Sequence, residues 1–201
     1  VRLYIIETSD VVTTVTSNFP TPNTTNLTYQ DGYWFVLKST GDFYNCDVDA
    51  PATWDPTKVL TAQGFSGTAY AIVKQNSMLL VFLEESIQAF YDNANASGSP
   101  MSHYESAIQN VGSKFTNTIV SDEGLVTFVG SSRTGNFSVY TLEGITNVKD
   151  IADDNVRLLL AAEGSTVSSS IGQNVRLGGK KFYILSLSTL GRTLVYDYGL
   201  Q

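Results

Sequence analysis

An apolar residue followed by tyrosine recurs along this chain at nearly regular intervals. The tyrosines of the five pairs are 40, 47, 49 and 56 residues apart; the pairs are Leu3-Tyr4, Phe43-Tyr44, Phe90-Tyr91, Val139-Tyr140 and Val195-Tyr196. Each pair lies in a segment that reads as the return strand of a hairpin. Repeats of roughly 40 to 50 residues with about four strands each are typical of β-propeller blades. A tyrosine suits this position, because its ring packs between blades while its hydroxyl stays hydrated.

The clearest hairpin spans residues 78–92. Residues 79–82 form a continuous apolar run that is too short for a helix and suits a strand covered on both faces. Glu84-Glu85 ends this run as an acidic turn. Residues 87–90 then alternate between apolar and other positions, with the period of two expected of a half-buried strand.

Other short segments rich in β-branched and aromatic residues are also predicted as strands. They are residues 1–6, 11–16, 32–37, 43–46, 69–73, 115–120, 125–129, 137–142, 174–177, 181–187 and 193–196. The predicted turns between them are Thr8-Ser9-Asp10, Ser39-Thr40-Gly41-Asp42, Gln75-Asn76, Asp122-Glu123-Gly124, Arg133-Thr134-Gly135 and Gly178-Gly179.

The remaining segments are predicted as connections, with one ambiguous stretch. Residues 19–26 and 93–100 read as loops, and residues 47–67 read as polar and irregular because of their prolines. Residues 148–162 fit either a short helix starting at Asp150 or a strand near residues 156–160. We favour a helical turn followed by a strand.

The composition agrees with an all-β protein. Only 15% of the 201 residues are charged and 42% are hydrophobic, while strong helix-forming windows are scarce. We expect residues 1–201 to form a single β-propeller domain with four complete repeats at best. Because a ring that lacks a blade exposes a sheet edge, and because the chain begins with valine, we expect further blades outside this sequence.

The charge and apolar patterns argue against several classes of protein. The net charge of −7 and the scarcity of adjacent basic residues disfavour a protein that grips nucleic acid through phosphate contacts. The sequence has neither an apolar run near the roughly 18 residues of a membrane span nor a visible secretion signal. The single cysteine, Cys46, is expected to be a small buried hydrophobic residue.

The sequence offers no catalytic, cofactor-binding or metal-binding residue that we single out as a site. His103 is the only histidine, so a catalytic triad would depend on it, and a surface or interface position is expected. Two groups of carboxylates could hold calcium, yet solvated turns or a helix N-terminus explain them better. These groups are Asp47, Asp49 and Asp55, and Asp150, Asp153 and Asp154.

A glycan-binding or sialidase-like propeller is the alternative reading. Residues 121–128 faintly resemble the Asp-box turn of sialidase-like propellers, without its third-position aspartate or its tryptophan. A sialidase also needs clustered arginines to bind the substrate carboxylate, whereas the five arginines here are scattered. A scaffold propeller for protein partners, without a role in a virion, is a further alternative.

Several segments resemble, in order, the packaged-DNA stabilisation proteins of short-tailed bacteriophages, also called tail accessory or tail hub proteins. The resemblance covers about residues 30–197. It rests on Gln30-Asp31-Gly32-Tyr33-Trp34-Phe35, Trp54-Asp55, Thr61-Ala62-Gln63, Phe82-Leu83-Glu84-Glu85-Ser86-Ile87-Gln88-Ala89-Phe90-Tyr91-Asp92, Ser106-Ala107-Ile108-Gln109-Asn110-Val111-Gly112, Gly179-Lys180-Lys181-Phe182-Tyr183 and Arg192-Thr193-Leu194-Val195-Tyr196-Asp197. The departures include Leu83 for glycine, Gln63 and Gln88 for glutamate, Lys180 for histidine and Leu194 for tryptophan.

The resemblance implies a structural virion protein and not an enzyme. It implies a hexameric ring that meets the portal or adaptor protein, closes the channel, stabilises packaged double-stranded DNA and docks tail spikes or fibres and a tail needle. DNA would pass through the ring without specific binding, and no membrane or cofactor is involved. The expected location is the phage tail, and the host cytoplasm during assembly. In the family the propeller continues beyond the Tyr-Asp segment, so we expect the propeller to continue beyond Gln201.

Overall fold

Antiparallel strands account for most of the chain. The structure, a computed structural model, describes residues 2–6, 8–23, 26–62, 67–133 and 135–200. Its strands are β1 (Leu3–Ile6), β2 (Val12–Val15), β3 (Leu27–Gln30), β4 (Tyr33–Leu37), β5 (Asp42–Asp47), β6 (Ala50–Thr61), β7 (Ala69–Gln75), β8 (Met78–Leu83), β9 (Ile87–Asp92), β10 (Met101–His103), β11 (Val111–Gly112), β12 (Val120–Asp122), β13 (Leu125–Ser132), β14 (Ser138–Glu143), β15 (Asn147–Asp150), β16 (Ile171–Leu177), β17 (Lys180–Leu187) and β18 (Arg192–Asp197).

The helical elements are few. Helix α1 spans Asp154–Glu163, and short 3-10 helices span Glu105–Ala107, Thr116–Thr118 and Gly164–Ser169. No helix in the described part of the chain has the length and apolar character needed to cross a membrane. The predicted features at Val1, Thr24, Thr25, Gln63, Thr134 and Gln201 lie outside the described residues.

The strands form consecutive sheets that we call blades. Blade 1 has the order β3-β4-β5-β6, blade 2 β7-β8-β9-β10, blade 3 β12-β13-β14-β15, and blade 4 β16-β17-β18. The N-terminal hairpin β1–β2 precedes them, and β11 also pairs with β13. The first strands of successive blades contact one another, β3 with β7, β7 with β12, and β12 with β16. These strands form the inner side of the array, and the repeat predicted from the tyrosine spacing is confirmed.

Apolar residues fill each junction between blades. Phe43 of blade 1 meets Phe90 of blade 2 with ring centroids 4.7 Å apart, and Phe82 of blade 2 meets Phe128 of blade 3 at 5.1 Å. At the next junction Phe115, Val129, Val139, Tyr183 and Leu185 share one cluster. Because blades 2 and 3 have neighbours on both sides, their central strands are apolar on both faces.

The predicted alternation at residues 87–90 is wrong, because all four of these side chains are buried. Gln88 lies at 0% exposure among apolar neighbours. The apolar run at residues 79–82 is buried as predicted, and Glu84-Glu85 forms the predicted turn before β9. Blade 2 is therefore covered on both faces in both strands of its central hairpin.

Residues 47–67 contain a long strand where an irregular segment was predicted. Strand β6 runs from Ala50 to Thr61 and, among the strands that the structure describes, pairs only with β5, so it is the outer edge of blade 1. Pro51 and Pro56 are tolerated because an edge strand does not need every N–H for the ladder. The pairing also shifts register around Cys46, which gives the prolines room.

Residues 148–162 have the reverse of the predicted order, with a strand first and a helix second. Strand β15 ends at Asp150, and Asp153 caps α1 by accepting a hydrogen bond from the Val156 N–H at 2.8 Å. The expectation of a helix N-terminus in this acidic group is confirmed. The leucines at residues 158–160 were predicted to lie in a strand. In helix α1 they lie on different faces, so Leu160 is buried while Leu158 is exposed.

The strand predicted at residues 115–120 is mostly a 3-10 turn, and only β12 is extended. The Thr118 hydroxyl donates to the Phe115 carbonyl at 2.8 Å and accepts from the Val129 N–H at 3.1 Å. The Thr118 side chain thus takes the place of a backbone hydrogen bond between strands. Local hydrogen bonds of this kind, from a side chain to the backbone, compete with strand pairing. Sequence analysis also missed β3 and β10, and the β7–β8 turn lies at Asn76-Ser77.

Four of the repeating tyrosines occupy the third strand of a blade. Tyr44, Tyr140 and Tyr196 pack towards the preceding sheet, as predicted. Tyr91 shares a face with Ala89, which packs towards blade 3, and so points the opposite way. Tyr4 is 53% exposed and therefore does not pack between blades in the described part of the chain.

Gly112 lies where the chain crosses from blade 2 to blade 3. A Cβ at this position would lie 2.2 Å from the Leu83 carbonyl oxygen and 2.3 Å from the Ser86 nitrogen. Only glycine fits this approach to the β8–β9 turn.

Gly112→Ala is expected to lower the free energy of unfolding by about 1–3 kcal/mol or more, because the backbone of the crossing must move. Urea unfolding measures this. Gly144→Ala is the control, since Gly144 has a positive φ but open space within 4 Å, so it tests backbone strain without a collision. A smaller loss for Gly112→Ala than for Gly144→Ala would contradict the packing argument.

Candidate functional site

Polar contacts link each blade to the next along the inner side of the blade array. The first two strands of each of the four blades form a hairpin, and the four hairpin turns lie on the same face of the array. In three of these turns both central residues have positive φ; they are Asp31-Gly32, Glu123-Gly124 and Gly178-Gly179. Such turns match the twist of antiparallel strands and prefer Asn, Asp and Gly.

Two glutamines at the ends of inner strands bind the turn of the following blade. Gln30, the last residue of β3, donates from Nε2 to the Ser77 carbonyl at 2.6 Å. Gln75, the last residue of β7, donates to the carbonyls of Gly124 at 2.7 Å and Leu142 at 3.1 Å. Both side chains are about 1% exposed. We call Gln30 and Gln75 the inner-strand glutamines.

An ion pair replaces the amide at the third junction. Asp122 ends β12, and its carboxylate accepts from Lys181 of blade 4 at 2.9 Å and pairs with Arg176 at 3.4 Å. The hydrogen bond from Lys181 is the largest influence that lowers the pKa of the Asp122 carboxyl. Leu177 ends β16 and is 73% exposed. The same strand position therefore carries Gln, Gln, Asp and Leu in successive blades.

Two buried or half-buried tyrosines complete the third junction. The Tyr183 hydroxyl donates to the Thr118 carbonyl at 2.8 Å, and burial raises the pKa of this phenol well above its ordinary value. The Tyr198 hydroxyl bonds Thr127 of blade 3 and donates to Asn174 at 3.2 Å. Tyr183 belongs to the Gly-x-x-Phe-Tyr segment singled out in the sequence, so that segment has a structural role.

Polar clefts lie along the inner strands and their turns. One of about 500 Å³ is bordered by β3, β7 and β12, and one of about 730 Å³ lies beside Asn76, Glu143, Asn147 and Tyr198. The first cleft is bordered by both signs of charge, Lys74 with Asp122 and Glu123, whereas the charged residues that border the second, Glu123 and Glu143, are both acidic.

Most of the basic side chains form ion pairs with carboxylates of the same chain. In the described residues, ion pairs involve Lys58, Lys114, Arg133, Arg157, Arg176, Lys180 and Lys181. Arg176, for example, lies 2.6 Å from Glu123. A cation that is already paired gains less from a phosphate, because the existing pair must first be broken.

The residues weighed as possible sites are dispersed over the fold. Asp47 pairs with Lys58, and Asp55 accepts hydrogen bonds from the N–H and hydroxyl of Thr57. In the other acidic group Asp150 and Asp154 bind Arg157. Among the described residues no three His, Cys, Asp or Glu side chains are grouped as metal ligands.

The remaining candidates lie in the packing of blades 1 and 2. His103 lies in β10, where it is half-buried, and its ring is 5.0 Å from Phe90. Cys46 is 0% exposed as expected, and burial raises the pKa of its thiol. Trp54 is 4% exposed and donates to the Pro51 carbonyl, so its indole face does not offer a sugar-binding platform.

The sequence pattern did not single out the inner-strand glutamines or Glu163 as functional residues. Each glutamine directly precedes a turn of the repeat, and this position was the signal that could have identified them. Glu163 at the end of α1 is 3% exposed and accepts from the Thr189 and Leu190 N–H groups at 2.7 and 2.9 Å. Burial would raise the pKa of this carboxyl, but the hydrogen bonds outweigh burial and the pKa is lowered.

Successive four-stranded antiparallel blades with adjoining first strands define a β-propeller. The family model described as Phage_stabilise, "Bacteriophage P22 Gp10, beta-propeller", matches residues 2–200. The chain belongs to this family. It is therefore a structural phage protein, and the predicted kinship and propeller class are confirmed.

Other comparisons add little. A comparison with curated proteins finds no match. Among solved structures, the chain is similar to the computationally designed Ika4 protein (11% identity, TM-score 0.49, 85% of this chain and 88% of that chain) and to the N-terminal domain of Nup159 (15%, 0.48, 98% and 56%). It is also similar to BamB from Moraxella catarrhalis (12%, 0.44, 87% and 50%). The chain thus spans about half the length of the latter two, and no conclusion rests on these likenesses.

Gln75→Met is expected to lower the free energy of unfolding by about 1–3 kcal/mol, because it removes the two hydrogen bonds that the buried amide donates to the Gly124 and Leu142 carbonyls while keeping the side-chain volume. Chemical denaturation measures the change. Gln173→Met is the control, since Gln173 is an exposed inner-strand residue of blade 4. Equal stability of the two variants would show that the amide contacts contribute nothing.

Glu163→Gln is expected to weaken the loss of stability in acid. Because the folded-state pKa is lowered, the stabilisation by Glu163 is complete above its unfolded pKa of about 4.3 and is lost as pH falls through the folded value. Unfolding free energies at pH 7 and pH 3 test this. The exposed Glu105→Gln serves as control. An acid dependence identical to that of the unaltered chain would contradict the assignment.

Proposed function

We propose that this protein is a subunit of the phage tail hub, or nozzle, ring. The observation that carries the proposal is the family match over residues 2–200. In this role a hexameric ring closes the portal channel beneath the portal or adaptor protein and stabilises the packaged DNA. It also gives docking surfaces to tail spikes or fibres and to the tail needle.

The electrostatics support a passive passage of DNA. The chain carries a net charge of −7, so six copies carry −42, and the ring as a whole repels phosphate. The cations at the third junction, Arg176 and Lys181, are held by Asp122 and Glu123. DNA therefore slides past the ring without adhering to it.

The same proposal covers location and chemistry. The protein is assembled in the host cytoplasm, becomes part of the virion and takes part in genome ejection. It acts without catalysis, cofactor or membrane contact. Residues 1–201 act as part of a single β-propeller domain, because apolar contacts continue from the N-terminal hairpin through all four blades.

Electron microscopy of the protein with its natural termini is expected to show sixfold rings. A population of lone propellers, under conditions where the other tail proteins assemble, would contradict the proposal.

The assembled ring is expected to bind duplex DNA no more tightly than about 10⁻⁴ M at physiological salt, the weak limit of non-specific binding. Asp122→Asn with Glu123→Gln removes the partners of Arg176 and Lys181 and should increase salt-dependent binding. Asp10→Asn with Glu105→Gln is the control, because it changes the net charge equally at exposed carboxylates. Equal gains in both variants would show that net charge, not cation pairing, governs the affinity.

A further inference from the structure

Carboxylates of the preceding elements hold blade 4 at both ends of strand β17. At the end near the inner hairpin turn, Lys181 donates to the Asp122 carboxylate of β12 at 2.9 Å. At the other end, the N–H groups of Thr189 and Leu190, in the turn that follows β17, donate to the Glu163 carboxylate of α1 at 2.7 and 2.9 Å. Both polar links to β17 therefore depend on an ionised carboxylate.

The polar links at the other two junctions depend much less on ionised groups. Gln30 joins blade 1 to blade 2 and Gln75 joins blade 2 to blade 3, and a side-chain amide stays neutral at all ordinary pH values. Glu84 and Glu85 also pair with basic residues of blade 3, but their side chains are 41% and 49% exposed. Exposed ion pairs contribute little to stability. Dependence on carboxylates is therefore concentrated at the junction of blades 3 and 4.

The two carboxyls of this junction respond to acid in the same direction. The hydrogen bond from Lys181 lowers the pKa of the Asp122 carboxyl. Burial raises the pKa of the Glu163 carboxyl, but its hydrogen bonds outweigh burial and the pKa is lowered. A carboxyl with a lowered folded-state pKa stabilises the fold above its unfolded pKa, and this contribution is lost as pH falls through the folded value. Asp55, the other described carboxyl with a lowered pKa, binds Thr57 in its own strand and joins no blades.

Protonation of Asp122 weakens the hold on Lys181 in particular. The titratable groups around Asp122 are Lys181 of β17, Arg176 of β16, Glu123 of the next turn, Lys74 of β7 and Tyr198. Arg176 also lies 2.6 Å from Glu123 and so has a second anionic partner. Lys181 would keep only its hydrogen bond to the Asp122 carbonyl, at 3.1 Å. Loss of the Asp122 charge therefore releases chiefly the second strand of blade 4.

Protonation of Glu163 weakens the hold on the turn after β17. Glu163 faces the N–H groups of Thr189 and Leu190 and the hydroxyls of Thr166 and Thr189. Hydrogen bonds to an ionised acceptor are roughly twice as strong as those between neutral groups. Because Glu163 is only 3% exposed, water does not readily replace the weakened bonds.

We propose that the junction of blades 3 and 4 is an acid-sensitive switch, in which acidification loosens blade 4 from blade 3 while blades 1, 2 and 3 stay packed. At neutral pH the apolar cluster that contains Val139, Tyr183 and Leu185 and the two carboxylate links act together, so blade 4 belongs to the same array. In acid the apolar cluster remains and the polar links fail. The inference goes beyond the proposed tail function and does not depend on it.

His103 is a second group at a junction that gains charge in acid. It lies in β10 against Phe90, at the junction of blades 1 and 2. A charge on His103 would loosen blade 2 from blade 1, not blade 4 from blade 3. The location of the loosened strands therefore distinguishes an effect of His103 from the switch that we propose.

Hydrogen exchange with residue-level mass spectrometry at pH 7 and pH 3 tests the proposal. After correction for the intrinsic exchange rate at each pH, the amides of β17 should lose about tenfold more protection than those of β8 in blade 2, since one unit of pKa corresponds to a factor of ten. An equal loss in the two strands, a greater loss in β8, or no loss in either would overturn the proposal.

A pair of variants identifies the groups responsible. Asp122→Asn with Glu163→Gln removes both charges at nearly constant side-chain size, so β17 should be less protected at pH 7 and its additional loss at pH 3 should disappear. Glu84→Gln with Glu85→Gln is the matched control, because it changes the net charge equally at exposed carboxylates, and it should keep the acid response of β17.

An acid response of β17 that survives in the first variant, or disappears in the control, would assign the effect to other carboxylates and contradict the proposal. The comparison of β17 with β8 in the unaltered chain needs neither variant, so it decides the question even if the first variant does not fold. It also needs no assembled ring, so its outcome is separate from that of the proposed tail function.

Discussion

The fold depends on strands that are apolar on both faces. In β8, every residue of 79–83 is buried, and alternate side chains face blade 1 and blade 3. Burying one large apolar side chain contributes roughly 1.5–3 kcal/mol, whereas exposed ion pairs contribute about 0–1 kcal/mol each. Contacts such as Phe43 with Phe90 therefore hold the blades together, and the many ion pairs contribute less to stability.

Apolar packing alone does not fix how one blade is oriented on the next, since it has little directionality. The polar contacts on the inner side supply that direction. Gln30 and Gln75 bind the turn of the following blade, and Asp122 binds Lys181 in the second strand of blade 4. Because these groups are buried or partly buried and a lost partner is costly, each junction has one preferred alignment.

The sequence predicted the repeat but not its polar links. Tyrosine spacing and two-sided apolar runs follow directly from blade geometry, so they were readable. The long edge strand β6 was not, because Pro51 and Pro56 indicate loops unless the strand is known to be an edge. Thr118 and Gln75 act through partners about 10 to 70 residues away, and such partners become visible only once the blades are stacked.

The blades are expected to form one cooperative array. Both tryptophans, Trp34 and Trp54, lie in blade 1, so their fluorescence reports one end, while far-ultraviolet circular dichroism reports all sheets. Equilibrium urea unfolding followed by both signals is the most direct test. If the blades unfold together, the two signals will show coincident transitions with the same midpoint. A fluorescence transition clearly separated from the dichroism transition would mean that blade 1 unfolds independently, and would contradict the single array.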